Sequence, residues 1–147
     1  MSATERIRGV FAATAMVLVL ANCGKASSAG RNDNGLPWGG SLSSGLVTAE
    51  RDSKLVMVDF YTDWCRWCAE LDRTTYADKN VQAALARVVL VRLDAEGDGQ
   101  ADADRLGVSG FPTIVFLDGT GVEVGRISGY LPAAQFLEEF EDIVKRT

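Results

Sequence analysis

The apolar run Leu55-Val56-Met57-Val58-Asp59-Phe60-Tyr61 leads almost directly into a cysteine pair, Trp64-Cys65-Arg66-Trp67-Cys68. A run this long, of mainly β-branched and aromatic residues, suits one buried central strand. A helix opening at Cys65 then places that sulfur over backbone N–H groups that have no partner inside the helix. Those donors, with the helix dipole, favour thiolate over thiol. Cys68 falls on the same helix face, within reach of a short disulfide. Strand, turn, helix and pair together predict a dithiol/disulfide redox centre at the end of a strand. Two other readings compete. Half of a zinc site is one, but a structural zinc takes four ligands, and the chain has no histidine and a single further cysteine, Cys23. Inert buried thiols are the other, and the strand–turn–helix setting argues against them. No metal is expected.

Residues 1–22 read as an export signal. Arg6 and Arg8 supply a positive start, and residues 10–21 form an uncharged, mostly apolar stretch. It falls short of the roughly 20 residues that span a bilayer and matches the apolar region of a signal. Its close, Leu20-Ala21-Asn22-Cys23-Gly24, resembles a bacterial lipoprotein signal, in which small residues precede a cysteine that is lipidated; Asn22 departs from that pattern. The resemblance implies that Cys23 is a lipidation site, whereas a plain cleaved signal or an uncleaved anchor would leave it an odd thiol. Residues 23–45 are rich in Gly, Ser and Asn and lack apolar periodicity, so they read as a flexible tether. Within them Trp38 either docks back on the domain or is solvated. Residues 46–147 form one domain of about 100 residues, a common size. The net charge of −5, more acidic still after the signal, speaks against nucleic acid or an anionic membrane surface as partner.

Along the domain, residues 42–54 read as a short helix and residues 65–73 as the redox helix, with Ala69 and Leu71 turned to the core. Asp78 is placed to cap a further helix carrying Val81, Ala84 and Leu85 at helical spacing. Residues 88–93 form a second strand, followed by an acidic loop over 94–99 and a short helix over 101–106 that stops at Gly107. The runs 113–117 and 122–127 flank Asp118-Gly119-Thr120-Gly121, the pattern of an antiparallel hairpin. Pro132 is expected at the first position of the last helix, whose apolar face is Phe136, Leu137, Phe140, Ile143 and Val144. The order β-α-β-α-β-β-α describes an α/β domain, a mixed sheet with helices on both faces.

These residues resemble the thioredoxin-like fold over about 46–146. The match rests on the strand and Trp-Cys-x-x-Cys segment, on Val108-Ser109-Gly110-Phe111-Pro112-Thr113 as a cis-proline loop, on Asp59 at the buried acidic position, and on Gly129 before the last helix. Within the fold, Tyr61-Thr62-Asp63-Trp64-Cys65 and Leu71-Asp72-Arg73-Thr74-Thr75-Tyr76 are similar to exported reductases, namely the C-terminal periplasmic domain of the DsbD-type thiol:disulfide interchange proteins. Two departures from ordinary thioredoxin stand out: Arg66-Trp67 replaces Gly-Pro between the cysteines, and Arg92 stands where thioredoxin has a lysine near the buried acid.

The resemblance implies an exported thiol–disulfide oxidoreductase, working as a reductant or electron relay. Cys65 is expected to attack and Cys68 to resolve the mixed disulfide. Arg66 either adds charge beside the sulfur or is simply solvated, and Asp63 reads as a loop or capping residue. Asp59 is costly to keep charged in a buried strand. It is expected to take the Cys68 proton through water, unless it turns to solvent at the strand edge. On the burial argument alone, Asp59→Asn should stabilise the domain. Of Trp64 and Trp67, one is a candidate docking aromatic for a partner peptide, with ordinary packing as the alternative and both readings open for Trp67. Pro112 is expected to be cis, with the backbone of Phe111 free to pair with an extended substrate. No cofactor beyond the Cys65–Cys68 disulfide is implied. The implied partners are protein thiols and disulfides and a membrane electron donor, served by a monomer anchored through the Cys23 lipid on the periplasmic side. A disulfide isomerase or oxidant, or a binding or chaperone module, remains open on the same scaffold. An isolated 46–147 fragment is expected to keep its redox activity.

Overall fold

A computed structural model describes residues 33–147; the export signal over 1–22 and Cys23 lie outside the described residues. The elements are α1 (Leu42–Asp52), β1 (Val56–Tyr61), α2 (Arg66–Glu70) continued by a π-helical turn (Leu71–Thr75), α3 (Lys79–Leu85), β2 (Val89–Asp94), α4 (Gln100–Arg105), β3 (Thr113–Leu117), β4 (Glu123–Ser128) and α5 (Ala133–Lys145). The sheet order is β2-β1-β3-β4. Strand β1 pairs parallel with β2, with Asp59 opposite Arg92, and antiparallel with β3. Strands β3 and β4 form the antiparallel hairpin.

The period of two along each strand divides the core. Val56, Val58 and Phe60 on β1, with Val91 and Leu93 on β2, pack in one layer with Leu42 and Ala49 of α1 and Ala103 of α4. Met57 and Leu90 face the opposite layer, against Leu71, Tyr76, Leu85 and the α5 residues Phe136, Phe140 and Ile143. The same alternation sends Asp59 and Arg92 into this second layer. Every residue of β1 is buried, so the strand is central, as its unbroken apolar run implies. Helix α5 seats closely on β4: a Cβ built on Gly125 would stand 2.8 Å from an Ile143 side-chain carbon.

Local chemistry sets the boundaries. Asp78 caps α3, its Oδ1 accepting from the backbone N–H groups of Asn80 and Val81. The hairpin turn is gathered by Asp118, whose Oδ1 accepts from the Thr120 hydroxyl at 2.7 Å and from the N–H groups of Thr120 and Val122. The Thr120 hydroxyl foremost, and then those N–H groups, hold the Asp118 carboxyl below its ordinary value of 3.8.

Four expectations differ from the structure. The redox helix does not run as one regular helix to Arg73; it widens to a π-turn at Leu71, which brings Leu71, Asp72 and Thr75 inward together. Ala69, expected at the core, is exposed, because the buried face of α2 is taken by Cys68. Pro132 caps α5 in extended conformation rather than occupying its first helical position. The second part of the stretch read as a tether packs on the domain: Leu36 and Trp38 lie against the core, and Gly39 bridges to β2.

Candidate active site

Strand β1 delivers Tyr61 to its end, and the chain turns through Thr62, Asp63 and Trp64, with the Cys65 N–H donating to the Thr62 carbonyl at 3.2 Å. Cys65 is the cap residue of α2, and its Sγ accepts the Cys68 N–H at 3.0 Å. A backbone donor aimed at this sulfur stabilises negative charge on it when the pair is reduced. The two sulfurs are bonded here, with Cα atoms 5.3 Å apart. Cys65 is 6% exposed and Cys68 is fully buried. An incoming group therefore meets Cys65 first, which is the asymmetry that attack and resolution require.

The disulfide sits on Tyr61 and beside Phe111. The Phe111–Pro112 peptide is cis. The loop is tied down by the Thr113 hydroxyl donating to the Gly110 carbonyl at 2.7 Å, and by the Gly129 N–H donating to the Pro112 carbonyl at 2.8 Å. Gly129 adopts φ +85°, a left-handed conformation that a side chain would strain. Its place beside Pro112 gives this glycine a physical reason.

Aromatic side chains flank the sulfurs. Trp64 is 68% exposed, stands edge-on to Phe111 at 6.0 Å, and donates its indole N–H to Glu96 at 2.8 Å. Trp67 is half exposed and stacks on Tyr130 at 5.5 Å, with the Arg66 guanidinium 5.1 Å from its ring centre. The Tyr130 hydroxyl in turn reaches the Thr74 hydroxyl at 3.1 Å. Arg66 thus lies on Trp67, exposed. Both tryptophans are held by neighbours while still presenting apolar surface next to a reactive sulfur. Glu96 and Tyr130 escaped the reading of the sequence; only their places, in the acidic loop and after Gly129, hinted at them.

Asp59 occupies the layer beneath. It lies two residues before Tyr61 on the same face of β1, about 7 Å along the strand. The side chain is fully buried and accepts from Arg92 Nε at 3.0 Å through Oδ2, while Arg92 Nη2 donates to Asp72 Oδ1 at 2.7 Å. The aspartate is therefore neither turned to solvent nor left without a countercharge. Arg92 offsets the burial cost on which the sequence argument rested. Burial works against the Arg92 charge, but the Asp59 and Asp72 carboxylates outweigh it and leave the guanidinium more firmly protonated than usual. Asp59 Oδ1 is buried with no hydrogen-bond partner among the described residues. That open acceptor can take a proton or a water. Asp72 was not singled out in the sequence, because only the π-turn brings it inward. Among the described residues no group of three or more potential metal ligands gathers, and no helix is long and apolar enough to cross a membrane.

Comparison with known proteins agrees with this geometry. Residues 42–143 match the family described as a thioredoxin-like domain. The thiol:disulfide interchange protein DsbD of Yersinia pestis (strain Pestoides F) is 38% identical over 101 residues, 65% of this chain. The chain spans only about 17% of the length of that relative. Among solved structures, the oxidised C-terminal domain of Neisseria meningitidis DsbD is 27% identical, with a TM-score of 0.60 over 69% of this chain and 91% of that one. A thioredoxin from Thermus thermophilus is 30% identical, with a TM-score of 0.63 over 71% of this chain and 85% of that one. The chain belongs to the thioredoxin-like domain family and is related over that domain to DsbD, carrying Cys65 and Cys68 as its C-x-x-C pair.

Proposed function

We propose that the domain acts outside the cytoplasm as a protein-disulfide reductant or electron relay, held at a membrane by lipid on Cys23. The reduced pair is the working form. The Cys65 thiolate attacks one sulfur of a partner disulfide, forming a mixed disulfide and releasing the other partner sulfur as a thiolate that takes up a proton. The Cys68 thiol gives its proton through water to Asp59, and its sulfur attacks Cys65 Sγ. The second partner sulfur leaves as a thiolate and takes up a proton, and Asp59 gives up the one it received, so that the carboxylate is restored. Two electrons pass to the partner, and the Cys65–Cys68 disulfide remains. A membrane electron donor then reduces that disulfide by the reverse exchange. Trp64, Trp67 and the backbone of Phe111 beside Pro112 receive the partner's extended segment.

The observation that carries this reading is the asymmetry of the pair, a Cys65 that keeps a small exposure beside the exposed Trp64 and Trp67, and a Cys68 that is fully buried behind it. The likeness to DsbD, whose name describes thiol:disulfide interchange, supports the exchange chemistry, and the reductant direction follows from the exported-reductase branch that the sequence resembles. The reduction potential of the Cys65–Cys68 pair tests it. A reductant should lie near thioredoxin, at about −270 mV, whereas a value near −120 mV, that of the strong oxidant DsbA, would make the protein an oxidant. Insulin reduction by the wild type, absent from a variant lacking both cysteines, separates either enzyme from a binding module.

A further inference from the structure

The segment from Asn34 to Gly39 lies before the matched family region, yet its contacts converge on the charged group beneath the disulfide. The Gly39 carbonyl accepts the Arg92 backbone N–H at 2.9 Å. The Trp38 ring lies over the same residue, its centre 4.1 Å from the guanidinium carbon, and packs at 5.3 Å against Tyr76. Asn34 Nδ2 donates to the backbone carbonyl of Asp72 at 2.7 Å. So the strap meets Arg92 through both main chain and side chain, and meets Asp72 as well. The Trp38 indole N–H is buried with no hydrogen-bond partner among the described residues. What fastens this side chain is its ring, not its N–H.

We infer that Trp38 is a positioning residue for the redox reaction, holding Arg92 on Asp59 Oδ2 so that Oδ1 stays open to the Cys68 proton. The inference rests on the proposed role of Asp59. An aromatic face over a desolvated guanidinium excludes water from it and favours its charge in place. With the ring gone, water reaches Arg92, its grip on Oδ2 loosens, and the Asp59 carboxylate can rotate its open oxygen away. The strap is thus part of the working unit, and a fragment over 46–147, expected from sequence to be fully active, lacks a component of its centre.

The test follows the resolving step in the full-length protein. Reduced protein reacts with 5,5′-dithiobis(2-nitrobenzoate): Cys65 attack releases one coloured thiolate, and Cys68 attack on the mixed disulfide releases the second. Trp38→Leu should slow the second phase roughly fivefold, the order expected for partial loss of a desolvated cation–π contact, and leave the first phase unchanged. Trp38→Phe keeps an aromatic face, though a smaller one, while losing the unpartnered N–H, and should resolve much closer to the wild-type rate than Trp38→Leu does. Within an Asp59→Asn background, Trp38→Leu should add nothing, because the two act through one carboxylate. Trp38→Met carries the same test should the leucine variant not fold. Unchanged resolution in Trp38→Leu beside a slowed Asp59→Asn overturns the strap's role and leaves that of Asp59 standing. A slowing that persists undiminished in the Asp59→Asn background, or equal slowing by Phe and Leu, also overturns it. If Asp59→Asn alone resolves at the wild-type rate, the role of Asp59 fails and this inference with it.

Discussion

Replacing Asp59 by asparagine separates two views of the buried layer by the sign of a stability change. Burial alone predicts stabilisation, since an amide is cheaper to bury than a carboxylate. The structure predicts the opposite. Arg92 is 2% exposed at its side chain and pairs with Asp59 at 3.0 Å and Asp72 at 2.7 Å. Neutralising one partner leaves a buried cation with a single carboxylate. Removing one member of a buried pair costs about 3–5 kcal/mol. Here Asp72 stays, the asparagine carbonyl can still accept from Nε, and the Trp38 and Tyr76 rings still cover the guanidinium. The expected loss is therefore smaller, about 1–3 kcal/mol, between a hydrogen bond to a charged group and a broken ion pair. For a domain of this size that lowers Tm by roughly 10 °C. Denaturant and thermal melts of the oxidised proteins at neutral pH measure it. An asparagine variant as stable as the wild type, or more stable, would refute the argument that Arg92 depends on this carboxylate.

Other substitutions test the remaining assignments. Cys65→Ser should abolish disulfide exchange while Cys68→Ser accumulates mixed disulfides with protein partners, seen as reducible adducts on gels; trapping by Cys65→Ser instead would reverse their roles. Cys23→Ala should free the protein from the membrane or leave its signal attached, and wild-type protein should incorporate labelled palmitate. Absence of label would leave Cys23 without an anchoring role. Asp118 contributes to the pH dependence of stability. Its folded value is depressed, so its contribution is present above about pH 3.8 and is lost as pH falls through the lower folded value. Asp118→Asn should therefore flatten the stability profile in that acid range, and an unaltered acid limb in chemical denaturation would contradict it.

Much of this molecule is written in short stretches of its sequence. The unbroken apolar run of β1, the cysteines one helical turn apart, the hairpin around Asp118 and the capping Asp78 depend on neighbours within a few residues. Backbone sterics and local hydrogen bonding suffice to specify them. The cis bond at Pro112 also sits where the proline loop implied. What lay beyond local reading depends on residues far apart in the chain meeting in space. Whether Asp59 is costly or compensated is decided by the register that sets Arg92 opposite it on β2. Asp72 enters the same group only because the helix after Cys68 widens to a π-turn, a choice made by packing and not by propensity. Tyr130 reaches Trp67, and Glu96 reaches Trp64, from loops that sheet order alone brings alongside. Trp38 could have been solvated on any local argument. Its docking follows from the strap's pairing with β2 and from the aromatic and cationic surface that the fold gathers there, because contact energies across such separations exist only once the chain has closed on itself.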